Sequence, residues 1–342
     1  MRQALRRDKT EKLPRYGLRF AVLAVIFLLA AAGSIMLGKY MLTPKELFEL
    51  LFSSRTWQDS AEYVMFRIRL PRVAAGILIG AALSLAGVAY QGMFRNPMVS
   101  PDILGASTGA GFGASIAILL GADYFMISAS AFIGGLLAVA AAYILSCFSK
   151  TNQTLAMILA GMMVSSLFQA GTSFIKLVAD TQQQLPAITY WLMGSLSSIK
   201  VEDVKFMWLP IAVGILPLVL LSWRMNLLTI GEEEAEAMGV NTRRLRLIVV
   251  VCATLLTAAS VAVSGMIGWV GLVIPHFCRM IFGYDYRRLV PASLLFGGAY
   301  LLVVDDIARM VTTQELPLGI LTAIVGAPIF AYLVVTGGGN RD

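Results

Sequence analysis

Residues 70–90, with the sequence LPRVAAGILIGAALSLAGVAY, make a long apolar run in which no charged side chain follows Arg72. The hydrocarbon core of a bilayer is about 30 Å thick, and a helix needs roughly 20 apolar residues to cross it. The run has this length, and its glycines would let neighbouring helix backbones approach closely. The stretch therefore predicts a transmembrane helix that packs against other helices.

Further apolar runs lie on either side of this stretch, and together they predict an all-α integral membrane protein with about ten transmembrane helices. The predicted spans cover residues 18–38, 70–90, 101–120, 125–148, 154–178, 204–223, 245–263, 267–282, 289–309 and 317–335. The segment at residues 185–200 is shorter and more polar than these spans, which predicts a short or re-entrant helix. The spans make one transmembrane domain over residues 18–335.

The composition of the whole chain agrees with a membrane protein. Of its 342 residues, 58% are hydrophobic and 14% are charged, whereas a soluble domain is usually about 45–50% apolar and about 25% charged. This composition excludes a soluble enzyme, a disordered chain and a disulfide scaffold. Cys147, Cys252 and Cys278 lie far apart in apolar runs, and we interpret them as small buried hydrophobic residues.

The distribution of Lys and Arg predicts the orientation of the chain. Cytoplasmic loops carry an excess of these residues, and the segment 1–17 before the first span is strongly basic. The N-terminus is therefore predicted in the cytoplasm, and ten spans return the tail at residues 336–342 to the same side. The cluster of Arg67, Arg69 and Arg72 is an exception, because it lies at the outer end of the second span. Since the cations lie in short loops between apolar segments, no nucleic-acid partner is expected.

Few residues inside the spans could carry chemistry. Asp305 and Asp306 lie late in the ninth span, and ionisable groups in a membrane are costly enough to suggest a function. One hypothesis is a proton or cation site in an ion-coupled secondary transporter. The other is a local ion pair, because Arg309 follows Asp305 by four residues. The sequence has one histidine, His276, and no nucleophile–base pair, phosphate loop or metal-ligand spacing, so an enzyme is not predicted.

The polar segment at residues 224–246 predicts a helix–turn–helix in the cytoplasm. Thr229 and Glu232 have the spacing of a capping box, and the glutamates after Gly231 fall in a first turn, where the helix dipole favours negative charge. Gly239 is a natural helix stop, and a second helix is predicted from Asn241 or Thr242. The alternative is a solvated loop without a partner.

Two other segments predict helix starts. Thr43-Pro44-Lys45-Glu46 has the pattern of a capping box with proline in the first turn, and it precedes an apolar surface helix over residues 47–52. Ser100-Pro101-Asp102 predicts the start of the third span. The density of glycine in that span indicates close packing and suggests a helix that lines a cavity.

Five motifs resemble, in order and spacing, those of the FecCD-type permeases. They are Arg69-Leu70-Pro71-Arg72, Asn96-Pro97-Met98, Gly231-Glu232 with Ala235 and Met238-Gly239, Gly271-Leu272-Val273-Ile274-Pro275-His276 and Glu315-Leu316-Pro317-Leu318-Gly319. The resemblance runs from about residue 18 to the C-terminus. That family comprises the membrane subunits of type II ABC importers for iron–siderophores, haem and cobalamin.

The resemblance implies a fold of ten helices per subunit and a homodimer or close heterodimer of permease subunits. Two cytoplasmic ATPase subunits would bind ATP and Mg²⁺, and an extracytoplasmic binding protein would deliver the cargo. No cofactor is expected in this subunit. An iron–siderophore is the expected cargo, with haem and cobalamin as alternatives, and the implied location is the bacterial cytoplasmic (inner) membrane.

The resemblance also assigns roles to individual residues. The segment at about 229–242 matches the coupling helices that contact the ATPase, through Gly231, Glu232, Glu233, Ala235, Met238 and Gly239. Asn96 and Met98 match a cytoplasmic gate, although the family often has leucine at the position of Met98, and Thr154 and Leu155 match a second gate. The external arginines that receive the binding protein correspond to Arg69, Arg72 and Arg309. Spans five and ten are expected to line the pathway on the dimer axis.

Overall fold

The computed structural model describes residues 12–38, 60–149, 153–312 and 314–337, and every regular element within these ranges is a helix. The helices are α1 (Lys12–Met36), α2 (Leu70–Met93), α3 (Ala106–Leu119), α4 (Tyr124–Cys147), α5 (Gln153–Val178), α6 (Gln184–Met193), α7 (Val201–Leu220), α8 (Ser222–Ile230), α9 (Glu232–Ala237), α10 (Thr242–Ser264), α11 (Val270–Phe282), α12 (Tyr286–Met310) and α13 (Leu318–Gly337). A turn at Ser60–Tyr63 and a π-helical segment at Val64–Arg69 lead into α2. The predicted surface helix at residues 43–52, most of the basic N-terminal segment and most of the C-terminal tail lie outside the described residues.

Within the described ranges, seven helices are long and apolar enough to cross a membrane, namely α1, α2 with its preceding segment, α4, α5, α7, α10 and α12. Three shorter apolar helices in the described part of the chain, α3, α11 and α13, bring the number to ten. This agrees with the ten predicted spans. Helix α6 overlaps the segment 185–200, for which the sequence predicts a short or re-entrant helix.

Helix α3 begins at Ala106, so the prediction that Ser100-Pro101-Asp102 starts this span is wrong. Gly105 precedes the helix with a φ of 88°, a left-handed conformation that interrupts the helical path. The backbone N–H of Asp102 donates to Ser100 Oγ at 3.1 Å, and the carboxylate of Asp102 accepts from the Ser107 hydroxyl. The polar residues of the motif therefore stabilise a turn ahead of the helix.

Helices α2 and α10 lie at the centre of the bundle. Helix α2 contacts α10, α11 and α12, and α10 also contacts α4 and α7. A Cβ atom on Gly80 would collide with the carbonyl oxygen of Gly297 in α12, and one on Gly87 would collide with the carbonyl oxygen of Gly271 in α11. Since backbone meets backbone at both crossings, the close packing predicted from the glycines is confirmed.

The periphery of the bundle is apolar. On α1 the side chains of Leu18 and Leu29 are 67% and 66% exposed, which is typical of a surface that faces lipid rather than water. Of the three cysteines, Cys252 and Cys278 are buried as predicted, whereas Cys147 is exposed.

Candidate coupling and gating site

A hydrogen-bonded turn at residues 238–241, named here the coupling turn, joins α9 to α10 and gives the predicted coupling segment its shape. Gly239 has a φ of 81°, and its N–H donates to Glu236 O at 2.9 Å, while the N–H of Val240 donates to Ala235 O at 3.1 Å. This pair of bonds is the Schellman arrangement, which satisfies the last carbonyls of a helix. The Asn241 side chain then accepts from Arg244 N at 2.9 Å and caps α10. The predicted stop at Gly239 and the predicted start at Asn241 or Thr242 are confirmed, with Asn241 as the cap and Thr242 as the first helical residue.

The capping box predicted for Thr229 and Glu232 is wrong. Thr229 lies inside α8, where its hydroxyl donates to the Asn226 carbonyl oxygen at 2.7 Å. The residue before α9 is Gly231, which has no side chain to cap the helix. Glu232 and Glu233 occupy the first turn of α9, Ala235 is fully buried, and Met238 is 52% exposed.

The first predicted gate is a tight turn after α2. The N–H of Met98 donates to Asn96 Oδ1 at 2.9 Å, and the preceding Arg95 has a φ of 50°. Asn96 therefore holds the turn, while the side chain of Met98 is 46% exposed and that of Val99 is buried. The turn presents Met98 outward and anchors the loop through Val99.

The second predicted gate lies in the first turn of α5. Thr154 is half-buried and Leu155 is 48% exposed. Next to them, Gln153 Oε1 accepts from Arg246 Nη1 at 2.6 Å. Arg246 is buried in the second turn of α10, so this hydrogen bond ties the helix that leaves the coupling turn to the start of α5.

On the other flank of the coupling turn, Asn226 fixes α8 to the loop between α11 and α12. Its Nδ2 donates to Asp285 Oδ1 at 3.0 Å, and its Oδ1 accepts from Tyr286 N at 3.0 Å. Burial alone would raise the pKa of Asp285, but hydrogen bonds from Arg287 and Asn226 outweigh it and hold that pKa below its ordinary value. The carboxylate therefore remains charged at neutral pH and accepts strongly.

The loop between α11 and α12 is in turn connected to the first gate. Tyr286 packs so closely on α2 that a side chain at Gly92 would overlap its hydroxyl. Arg279 of α11 donates to Gln91 Oε1, and Gln91 Nε2 donates to the carbonyl oxygens of Val99 and Gly271 at 3.2 and 3.3 Å. Because Arg279 and Gln91 are both buried, these bonds are shielded from water and strong.

At the opposite end of the bundle, a buried ionic network joins α1, α2, α12 and the loop before α13. The Arg72 guanidinium contacts Asp305 Oδ1 and Glu315 Oε2, each at 2.8 Å. Arg309 contacts Asp305 Oδ2 at 3.3 Å and also pairs with Asp306. Arg69 Nη1 donates to the carbonyl oxygens of residues 35 and 36 at 2.6 and 3.0 Å, where it satisfies the last carbonyls of α1.

The external arginines expected to receive the binding protein are buried and do not form an exposed cluster. Arg69, Arg72 and Arg309 are only 3%, 5% and 7% exposed, because Arg72 and Arg309 pair with carboxylates and Arg69 is bonded to the end of α1. The local pair between Arg309 and Asp305, the alternative to a proton site, is confirmed. Docking of a binding protein on these residues stays a prediction.

A polar cavity of about 250 Å³ opens between α3 and α5. It is lined by Thr108, Gln169, Thr172, Ser173 and Lys176, together with Gly111 and apolar side chains. Gly109 and Gly113 pack against α4 instead. Helix α3 therefore uses Gly109 and Gly113 for packing and Gly111 for the cavity. Among the described residues, no group of three or more His, Cys, Asp or Glu side chains could hold a metal ion.

The fold is that of a multi-span helical membrane protein with a structured turn between α9 and α10. A sequence model of the FecCD transport family matches residues 23–336. The chain belongs to the FecCD transport family, and it is a permease subunit of the ABC importer class.

Relatives of known name support this assignment. The chain is 38% identical to the molybdate import system permease protein MolB of Haemophilus influenzae, over 91% of this chain and 94% of that protein. It is 34% identical to the hemin transport system permease protein HmuU of Yersinia pestis, over 94% and 96% of the two chains. A solved metal-chelate type ABC transporter in an inward-facing conformation superposes with a TM-score of 0.83 at 38% identity, covering 92% of this chain and 97% of that one. None of these comparisons supports a secondary transporter.

Sequence reasoning missed Asn226, Asp285, Gln91 and Arg279. A signal was present for Gln91, because an amide side chain in an otherwise apolar span is costly unless it is bonded. For Asn226 and Asp285 there was none, since they are 59 residues apart in the sequence and only the fold brings them together.

Proposed function

We propose that this chain forms the translocation pathway of an ATP-driven importer for an iron–siderophore, or for haem or cobalamin, delivered by an extracytoplasmic binding protein. The observation that carries the proposal is the coupling turn and the contacts of its two flanks. One flank reaches the loop between α11 and α12 through Asn226, and the other reaches Gln153, next to the second predicted gate, through Arg246. In the proposed assembly two such permease subunits pair, and two cytoplasmic ATPase subunits bind ATP and Mg²⁺. The assembly lies in the bacterial cytoplasmic membrane, with both chain termini in the cytoplasm.

In this proposal α9 docks on the ATPase through the residues 231–239. One flank of the turn acts through Asn226 and the loop between α11 and α12, and reaches the Asn96–Met98 gate through Gln91. The other flank acts through Arg246 and Gln153 on the gate at Thr154 and Leu155. We expect a basic groove on the ATPase to receive the acidic first turn of α9. Such charge complementarity would raise the rate of association.

Replacement of Gly239 by valine tests the shape of the coupling turn. Nothing lies within 4 Å of the position that a side chain would take, so the cost is the left-handed backbone alone, about 1–2 kcal/mol for an L-residue. We expect uptake to fall about tenfold while the protein still inserts, and ATPase co-purification to weaken. Gly239→Asn is the control, since asparagine tolerates this conformation. Equal loss with asparagine would show that backbone conformation is not the cause.

Replacement of Asn226 by alanine tests the link to the first gate. It removes two hydrogen bonds, one to a charged group, worth about 1.5–3 kcal/mol. We expect ATP hydrolysis by the assembled complex to continue while uptake per ATP falls about tenfold, because the gate no longer follows the coupling turn. Thr229→Ala is the matched control, since the bond that the Thr229 hydroxyl makes among the described residues stays within α8. Unchanged uptake per ATP in Asn226→Ala would contradict the link.

The outer arginines are proposed to serve the binding protein indirectly. They hold together the ends of α1, α2 and α12 and the loop that carries Glu315, so they shape the surface on which that protein would dock. Direct bridges to the binding protein would compete with the buried pairs that Arg72 and Arg309 already make.

A second cargo class is a small oxyanion such as molybdate. The cavity between α3 and α5 favours it, because its lining offers hydroxyl groups, an amide and the Lys176 ammonium, and no described residue adds a carboxylate. The discriminating experiment reconstitutes the permease with its ATPase and binding protein and measures ATP hydrolysis with molybdate, ferric siderophore, haem and cobalamin in turn. Stimulation by an iron chelate alone supports the first cargo class, and stimulation by molybdate alone supports the second.

A further inference from the structure

A second cavity, of about 390 Å³, lies at the same end of the bundle as the coupling turn. It is formed where the corner between α7 and α8 meets the start of α10, and its volume lies in the usual range for ligand pockets, about 300–1,000 Å³. Its lining includes Trp223, Arg224, Arg244 and Ile248, and the coupling turn forms one wall through Met238, Gly239 and Asn241. None of the sites described above uses the side chains of Arg224 or Arg244.

The charged side chains that line this cavity are positive. Two guanidinium groups line it, and no carboxylate does so among the described residues. The nearby Glu236 accepts a hydrogen bond from the Thr242 hydroxyl at 2.7 Å. Asn241 is committed to the cap of α10. The cavity therefore offers bidentate donors that suit a phosphate.

An apolar surface continues from the cavity along the outside of the membrane-spanning helices. Leu220 on α7 is 72% exposed, and Leu247 and Val251 on α10 are 43% and 48% exposed. Trp223 is 54% exposed at the edge of the cavity, and tryptophan is enriched at the level of lipid headgroups. A soluble partner would need the arginines but not this apolar strip, whereas a lipid would use both.

We propose that the cavity lined by Arg224 and Arg244 binds the phosphate headgroup of an anionic phospholipid such as phosphatidylglycerol, with the acyl chains along the exposed strip of α7 and α10. Basic pockets between helix ends on the cytoplasmic side are suited to such headgroups, and each cation near the surface contributes about 1 kcal/mol. A lipid at this position would contact both α8 and α10 and would brace the corner from which the coupling turn projects.

The test uses the full-length permease in nanodiscs of phosphatidylcholine with increasing phosphatidylglycerol. In separate samples, one of the two lipids carries brominated acyl chains, which quench the fluorescence of a nearby tryptophan. The contribution of Trp223 is obtained by subtracting the spectrum of the variant Trp223→Phe. We expect the wild-type site to prefer phosphatidylglycerol to phosphatidylcholine. In the variant Arg224→Gln with Arg244→Gln, the ratio of the apparent affinities for the two lipids should fall about tenfold. The control is Arg243→Gln with Arg287→Gln, which removes the same charge from exposed arginines outside the cavity lining.

The control variant should keep the preference within about twofold. Neither arginine lines the cavity, and although Arg287 pairs with Asp285, both would act on a lipid only through the screened surface potential. Equal losses in both variants would overturn the proposal and indicate general surface charge. An unchanged preference in Arg224→Gln with Arg244→Gln would also overturn it. If that variant keeps the lipid preference but no longer retains the ATPase, the cavity is a protein contact and the proposal is wrong.

Discussion

Replacement of Arg72 by methionine is expected to lower the free energy of unfolding by about 3–5 kcal/mol. Arg72 is 5% exposed and neutralises Asp305 and Glu315. Without it, Arg309 would remain as the cation close to Asp305, and Glu315 would lose its ion pair. Removing one partner of a buried pair costs more than the pair itself contributes, because a charge is left without compensation.

The measurement is equilibrium unfolding of the purified permease in mixed micelles with rising SDS, followed by circular dichroism. Arg67→Met is the matched control, because Arg67 lies in the π-helical segment that leads into the same helix but is exposed. We expect that control to stay within about 0.5 kcal/mol of wild type. A comparable loss in both variants, or none in Arg72→Met, would contradict the view that the ionic network holds the outer end together.

Replacement of Gly87 by alanine is expected to destabilise the protein by about 3 kcal/mol, at the upper end of the usual cost of overpacking. The added methyl group would collide with the carbonyl oxygen of Gly271, and a backbone atom cannot rotate away as a side chain can. Helices α2 and α11 would have to separate, and α2 also contacts α10 and α12.

Gly33→Ala is the control for this prediction. Gly33 lies in α1 with nothing within 4 Å of a Cβ position, so alanine there should raise helix stability by up to about 1 kcal/mol. The same unfolding assay and the yield of monodisperse protein compare the two variants. If Gly87→Ala unfolds at the wild-type SDS concentration, the crossing of α2 and α11 is looser than described.

The spans and the coupling turn could be predicted from sequence because their causes are local. Apolar length alone identifies a span, and Gly239 followed by Asn241 stops one helix and caps the next whatever surrounds them. The start of α3 could not be predicted, since Ser100-Pro101-Asp102 has the composition of a helix cap but Gly105 adopts a left-handed conformation after it. The capping box at Thr229 failed for a similar reason, because α8 continues through that residue.

The partners of the outer arginines could not be predicted from the pattern of charges in the sequence. Arg69 and Arg72 stand at an outer helix end, where exposed cations are unusual, and the sequence gives no direct sign of their partners. Glu315 is 243 residues from Arg72 along the chain, and Asp305 is 233 residues away. Burial of these charges therefore depends on the tertiary packing of α2 against α12, which no spacing rule encodes.

The central claim, that ATP hydrolysis in a partner drives transport through this chain, is tested most directly in proteoliposomes. The permease is reconstituted with its ATPase and binding protein, and cargo accumulation is measured with ATP, with a non-hydrolysable ATP analogue, and with a pH gradient alone. We predict accumulation only with hydrolysable ATP and loaded binding protein, and no change when the proton gradient is collapsed. Accumulation driven by a pH gradient in the absence of ATP would contradict the account and favour an ion-coupled secondary transporter.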